Sequence, residues 1–273
     1  MTATPTMPTT TTTVVTPVDL AACPPVTGSY RPVADFADWM ELARASYQSL
    51  ADEFAAVPAD AWAAPTACVG WSVRDLAGHV IGAMRGAASL RETASQQRAV
   101  KRRSKRTGEQ EVDAMAAIQV ERTADLSVDE VVRELQALVP KAVAGRNRMP
   151  AFVRRRAGID VEMGSISERW TFDYFLATIL TRDAWLHRVD LADALGVELT
   201  VGDVDRAIVG DVAVEWCARH AQPVALTLTG GAGGTLTAGS DGPAIELDAI
   251  EFCRIVSGRA TASHPLLEQV VPF

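Results

Sequence analysis

Asp183, His187 and Asp190 lie within eight residues in the stretch TRDAWLHRVDLADALG (181–196). A carboxylate and an imidazole one helical turn apart can reach a single cation, as the paired histidines of H-E-x-x-H do. At about 100° per residue, with Asp183 set at zero, His187 falls near 40° and Asp190 near −20°. On the same wheel Leu176 and Ala194 fall near 20°, Ile179 near −40° and Leu180 near 60°. The polar trio therefore sits inside the apolar stripe, where charge is costly unless something pairs with it. A core stripe interrupted by carboxylate, imidazole and carboxylate is how sites are built inside helical bundles. The same D-x-x-x-H spacing also occurs as an exposed or simply hydrogen-bonded pair.

A second stretch supplies a further imidazole. The chain has only four histidines, and His79 borders an apolar stripe of Leu76, Val80, Ala83, Ala87 and Leu90. A histidine beside a core is either a satisfied structural group or a ligand. Taken with Asp183 and His187, His79 completes two imidazoles and one carboxylate, a set that leaves a coordination position open, as catalytic metal sites do. Zn²⁺ suits these ligands best, and Ni²⁺, Fe²⁺ and Mn²⁺ are also taken by them. Asp190 is then either an acceptor that orients an imidazole or a plain helix-surface or capping group.

These residues need helices to hold them. Apolar spacing near 3.6 residues predicts helices over 35–57, 73–98, 109–122, 127–145 and 168–195. Ser72 with Asp75 and Ser127 with Glu130 give capping signatures at two of the starts, and Gly196 gives a natural stop. The segment 146–167 reads as a loop, and the second helix breaks down near KRRSKR (101–106). Beyond about residue 200 the texture changes: one more helix over 202–220, then PVALTLTG, GTLTAG and AIELDA as short strands of a small antiparallel sheet, then a helix over 249–257. The expected organisation is a Thr/Pro-rich disordered tail (1–30), a bundle of four main helices (31–199) and a small α+β domain (200–273).

Composition narrows the function. The net charge of −8 disfavours a general nucleic-acid role, because phosphate binding needs a positive footprint. No apolar run is long enough to span a bilayer, and the start of the chain lacks a signal-peptide pattern. The four cysteines, Cys23, Cys68, Cys217 and Cys253, form no CxxC pair, which favours a reducing cytoplasm. Cys217 and Cys253 read as small buried residues. KRRSKR reads as a solvated charge run or an anion dock, TGGAGGTLTAG as a hairpin turn, and His220 and His264 as surface residues.

The phrase GWSVRDLAGHV, followed about a hundred residues later by RDAWLHRVDLADALG, resembles the mycothiol-dependent maleylpyruvate isomerase family, DinB-like metal-binding helical bundles of actinobacteria. The likeness covers most of the chain from about residue 35. It extends to SGRA and VVPF, which stand where the family carries a G-R motif and a VPF-like tail. The resemblance implies a DinB-like four-helix bundle followed by a small sterol-carrier-like α+β domain, with His79, Asp183 and His187 as metal ligands. Where the resembled isomerases usually carry Glu, this chain has Asp183, whose shorter side chain either draws the ion closer to the helix or admits an additional water. The implied chemistry is that of a metal-dependent isomerase or transferase: the sulfur of mycothiol adds to a cis double bond conjugated with a carbonyl, the bond rotates, and the thiol leaves. By the same likeness Arg259 in SGRA is the candidate to grip substrate carboxylates, with Arg254 in reserve. The implied partners are a small unsaturated acid or carbonyl compound and a low-molecular-weight thiol, with neither nucleic acid nor membrane, and bundles of this kind also pair into homodimers. The other class of function open to this sequence is a metal-containing binding protein for a small hydrophobic or acidic metabolite, without turnover.

Overall fold

The computed structural model describes the backbone of residues 13–15 and, in full, residues 26–164 and 166–273. Two short strands come first, β1 (Thr13–Val15) and β2 (Val26–Gly28), and then the helices α1 (Phe36–Ala55), α2 (Val73–Ala88), α3 (Leu90–Thr107), α4 (Glu111–Glu121) and α5 (Val128–Arg146). The chain continues through α6 (Ala151–Arg156), β3 (Gly158–Met163), β4 (Ile166–Thr171), α7 (Phe172–Tyr174), a π turn (Phe175–Ile179) and α8 (Leu180–Leu195). It ends with α9 (Asp203–His220), β5 (Val224–Thr229), β6 (Gly234–Ala238), β7 (Ala244–Asp248) and α10 (Ala249–Val256).

The mostly helical architecture with a small sheet is the expected one, and the capping signatures act as read. Ser72 and Asp75 form a capping box at the start of α2, Ser127 and Glu130 form another on α5, and Gly196 closes α8 in the left-handed region at φ 63°. Helices α1, α2, α5 and α8 enclose one core around Leu50, Phe54, Leu76, Ile81 and Leu135. No helix of the described residues is long and apolar enough to cross a membrane.

Several expectations need correction. The helix expected over 73–98 breaks at Ser89, whose extended backbone (φ −144°, ψ 117°) ends α2 and whose hydroxyl caps α3 through the Glu92 amide. KRRSKR is helical, and Arg103 within it pairs with Glu109 and Glu121. The segment expected as a loop over 146–167 contains α6 and a β3–β4 hairpin. The sheet of β2, β6, β5 and β7 is mixed, because β7 runs parallel to β5 on the side away from β6.

The expected disordered tail over 1–30 does not hold for its described parts. Its described parts form strands, with β1 against β4 and β2 against β6, and Tyr30 is buried with its hydroxyl on the Ala232 carbonyl; the rest of 1–25 lies outside the described residues. The buried core does not divide at residue 200. Trp39, Met40, Trp185 and Leu186 from the bundle share one cluster with α9, the four-stranded sheet and α10.

Two buried polar systems fix α8. Arg182 pairs with Asp211 and Glu215 of α9 and donates to the Pro272 carbonyl, while Arg188 pairs with Glu53 and Asp205. Upstream, the π turn displaces backbone carbonyls from their usual partners. The buried Arg146 guanidinium takes them up, with Nε on the Leu176 carbonyl at 2.6 Å and Nη2 on the Ala177 carbonyl at 3.0 Å. This wide turn also shifts the phase of Leu176 and Ile179 relative to Asp183, so the wheel angles for a straight helix do not hold there.

Candidate metal centre

Helix α2 carries His79 two turns in from its capped start, on the side facing α8. The ring is wedged between Trp71, at 5.1 Å between centroids, and His187, at 5.0 Å in an edge-on arrangement. Helix α8 supplies Asp183 and His187 one turn apart. Asp183 Oδ1 lies 3.3 Å from His187 Nε2 and 3.7 Å from His79 Nε2. The structure therefore brings together the three residues that the sequence singled out, from stretches about a hundred positions apart.

The donor set fits a cation. His187 Nε2 is buried and has no hydrogen-bond partner among the described residues. Four ligands about 2.1 Å from a tetrahedral ion are spaced about 3.4 Å from one another, close to the separations found here. Without an ion, the charges of the trio act on one another. Burial works to raise the Asp183 carboxyl, but the adjoining His187 and His79 outweigh it and hold Asp183 well below its usual range. Burial likewise opposes charge on His187, yet Asp183, followed by Asp190, raises its pKa well above that of a free imidazole.

Asp190 stands behind His187. Its Oδ2 lies 2.9 Å from His187 Nδ1, and an ionised carboxylate only accepts, so Nδ1 carries the hydrogen and Nε2 is left to point at Asp183. Asp190 is 1 % exposed. Burial works to raise its carboxyl, but hydrogen bonds and charge from His187 and Arg259 hold it down at about 2. Arg259 follows Gly258, which leaves α10 at φ 82°, a conformation natural to glycine. The guanidinium donates from Nε to Asp190 Oδ1 at 2.7 Å and from Nη2 to Oδ2 at 3.1 Å.

Arg259, expected to grip substrate carboxylates, is engaged here with a carboxylate of the protein itself. Arg259 holds Asp190 and is absent from the cavity wall described below, because the nearest uncompensated buried charge is its own neighbour's. Arg254 is engaged with Asp193 at 3.1 Å. Cys68, which sequence reasoning passed over as one of four scattered cysteines, lies here too, its Sγ 3.5 Å from Asp190 Oδ2. Cys68, His187 and Asp190 also converge, but the Arg259 guanidinium already neutralises Asp190, so this second group does not suit a cation. His264 caps the turn after it through Nδ1 and His220 packs edge-on against Trp216, so neither joins the site. Cys217 and Cys253 are buried, and no two cysteines of the described residues are joined.

Above the trio lies a cavity of about 530 Å³ whose wall includes His79 and Asp183. Its other walls come from α2, α4, α5, the β3–β4 hairpin and the π turn, with Met115, Trp170, Phe172, Phe175 and Leu176 supplying apolar surface. Gly82 is what lets α4 approach α2 so closely, since a Cβ there would collide with the Gln119 side chain.

The chain resembles known proteins in the same terms. It matches the solved structure of the mycothiol-dependent maleylpyruvate isomerase with a TM-score of 0.54 at 17% identity, covering 84% of this chain and 91% of that one. A histidine-to-alanine mutant of that isomerase matches with a TM-score of 0.53 at 16% identity over the same shares. At these identities the likeness is one of fold. A search of curated proteins gave no match. The family model described as the mycothiol maleylpyruvate isomerase N-terminal domain matches residues 43–192, more than half the chain and the stretch that holds all three candidate ligands, and the chain belongs to that family.

Proposed function

We propose that this protein is a metal-dependent enzyme that uses a low-molecular-weight thiol, mycothiol, to isomerise a small unsaturated carboxylic or carbonyl compound or to transfer the thiol to it. The observation that carries this reading is the buried, unpartnered Nε2 of His187, aimed at Asp183 and His79 beside a cavity. His79, Asp183 and His187 would hold a divalent ion, with Zn²⁺ best matched to two imidazoles and a carboxylate. When bound, such an ion lowers the pKa of a thiol or water and polarises a carbonyl. The thiol supplies a nucleophile that adds reversibly to a double bond conjugated with a carbonyl, which frees that bond to rotate.

The protein's own residues do the rest. Asp190 keeps the Nδ1 hydrogen of His187 in place, so an ion that displaces the Nε2 proton would meet the ring's lone pair beside Asp183. Arg259 neutralises Asp190, which keeps the carboxylate from drawing the His187 ring out of line. The apolar walls exclude water from the reacting bond. Use of a cellular thiol is consistent with a cytoplasmic setting.

Elemental analysis of protein purified without chelator tests the reading. About one divalent transition metal per chain is expected, with loss of that metal in His187→Ala and thiol-dependent turnover of an unsaturated carbonyl compound only in the loaded form. Absence of metal both as purified and after titration with Zn²⁺ would overturn it.

A further inference from the structure

The cavity wall says more about the substrate than the ligand trio does. Apart from Asp183 and His79, its charged residues are Arg146 and Arg148. Arg146 is spent: besides the Leu176 and Ala177 carbonyls, it donates to the Thr181 hydroxyl at 2.6 Å and the Tyr47 hydroxyl at 3.4 Å. Arg148 sits exposed at the rim, bound to the Ala88 carbonyl at 2.8 Å. Ala88 is nine residues along α2 from His79, or about 13 Å at the helical rise. Between these points a second carboxylate of a small diacid would meet a mostly apolar wall with no cationic side chain to pair with, and burying an unpaired anion there is costly.

A buried pair of amides, Gln96 and Gln119, interrupts the apolar wall. Gln96 donates from Nε2 to the Gly82 carbonyl at 2.9 Å and accepts from Gln119 Nε2 at 3.2 Å. This chain fixes the orientation of both amides. It leaves Gln119 Oε1 buried without a partner among the described residues, on a side chain only 5% exposed that lines the cavity. A buried acceptor left unmade is expensive, and a ligand that donates to it recovers that cost.

The geometry points to an uncharged, predominantly apolar conjugated carbonyl compound as the molecule this cavity takes, with a hydrogen-bond donor on its body that meets Gln119 Oε1. This rests on reading the cavity as the substrate site of the proposed enzyme. It excludes the small dicarboxylate class. The volume of about 530 Å³ suits a ring-bearing molecule, within the range of small-ligand pockets.

Calorimetric titration of the whole protein, metal-free and Zn²⁺-loaded, with three probes tests it: maleate, benzylideneacetone and its para-hydroxy derivative at pH 7, where the phenol keeps its proton. Both aryl enones are expected to bind about tenfold or more tightly than maleate in either form. The hydroxyl should add about fivefold, and Gln119→Met should abolish that gain. Ala83→Phe and Ala116→Phe fill the cavity from α2 and from α4 without altering the ligand trio, and each should weaken enone binding about tenfold, with melting curves confirming a folded protein. Maleate binding as tightly as the enones would overturn the inference in the unmodified protein alone. So would undiminished enone affinity in a folded, cavity-filled variant, or a hydroxyl gain that survives Gln119→Met. These readouts need no turnover, so enone binding without any thiol-dependent reaction would refute the catalytic reading and leave the ligand class standing.

Discussion

His187 Nδ1 and Asp190 Oδ2 lie 2.9 Å apart, three residues along the same helix, and that contact decides which ring nitrogen faces Asp183. A free imidazole distributes its hydrogen between two nitrogens, but beside a buried carboxylate it is committed to Nδ1. The committed tautomer is the one a cation at Nε2 requires.

Replacing Asp190 with Asn removes the obligate acceptor while keeping the shape. An Asn amide can donate to Nδ1 and so stabilise the wrong tautomer. Metal affinity is expected to fall by about 10–100-fold, with the fold retained, as measured by competition with a chromophoric chelator.

Arg259→Gln leaves Asp190 buried with only His187 to offset its charge. Because Arg259 is itself partly exposed, the expected loss is about 2–3 kcal/mol, less than for a fully buried pair. Urea denaturation of metal-free protein measures it. A substrate-gripping role would instead leave stability near that of the unmodified protein and change only KM.

The metal-free trio gives stability a definite pH dependence. His187 has a folded pKa above its unfolded value, so its contribution is present below the ordinary imidazole value of 6.5 and is lost as pH rises through the raised one. Asp183 is depressed, so its contribution is present above 3.8 and is lost as pH falls through the lowered value. Metal-free protein should therefore gain its full benefit from this pair between those two values and weaken toward alkaline pH. Loading should oppose that trend, because the ion replaces the His187 proton: uptake releases protons, and affinity drops as pH falls. Thermal melts from acid to alkaline pH, with and without Zn²⁺, check both slopes.

Arg146→Met keeps much of the side-chain volume but strips the Leu176 carbonyl of its guanidinium donor and leaves the Ala177 carbonyl the Thr181 hydroxyl alone among side-chain donors. A loss of about 3 kcal/mol is expected, or a fall in Tm of about 6–12 °C for a chain of this size. Metal affinity should drop with it, since the π turn leads directly into the helix that carries Asp183. Calorimetric melting and the chelator competition measure the two effects separately.

The sequence by itself determined what depends on neighbours along the chain. The 3.6-residue spacing, Ser72 with Asp75, Ser127 with Glu130 and Gly196 at φ 63° set helices and their ends, because caps and periodicity act within a few residues. The same locality put Asp183 and His187 on one face. Ser89 with Glu92 carries the same S-x-x-E signal, and the split between α2 and α3 was legible there.

Only the tertiary structure decided the rest. The β3–β4 hairpin, the parallel pairing of β5 with β7 and the place of β2 in the sheet depend on partners far along the chain, to which no local spacing is sensitive. Arg259 is drawn to Asp190, 69 residues away, by a buried charge whose burial exists only once the core has closed. The cavity and its unpartnered Gln119 carbonyl arise where α2, α4 and α5 pack. Ligand identity was written in local chemistry, whereas the shape and charge of what those ligands face came from packing across the whole chain.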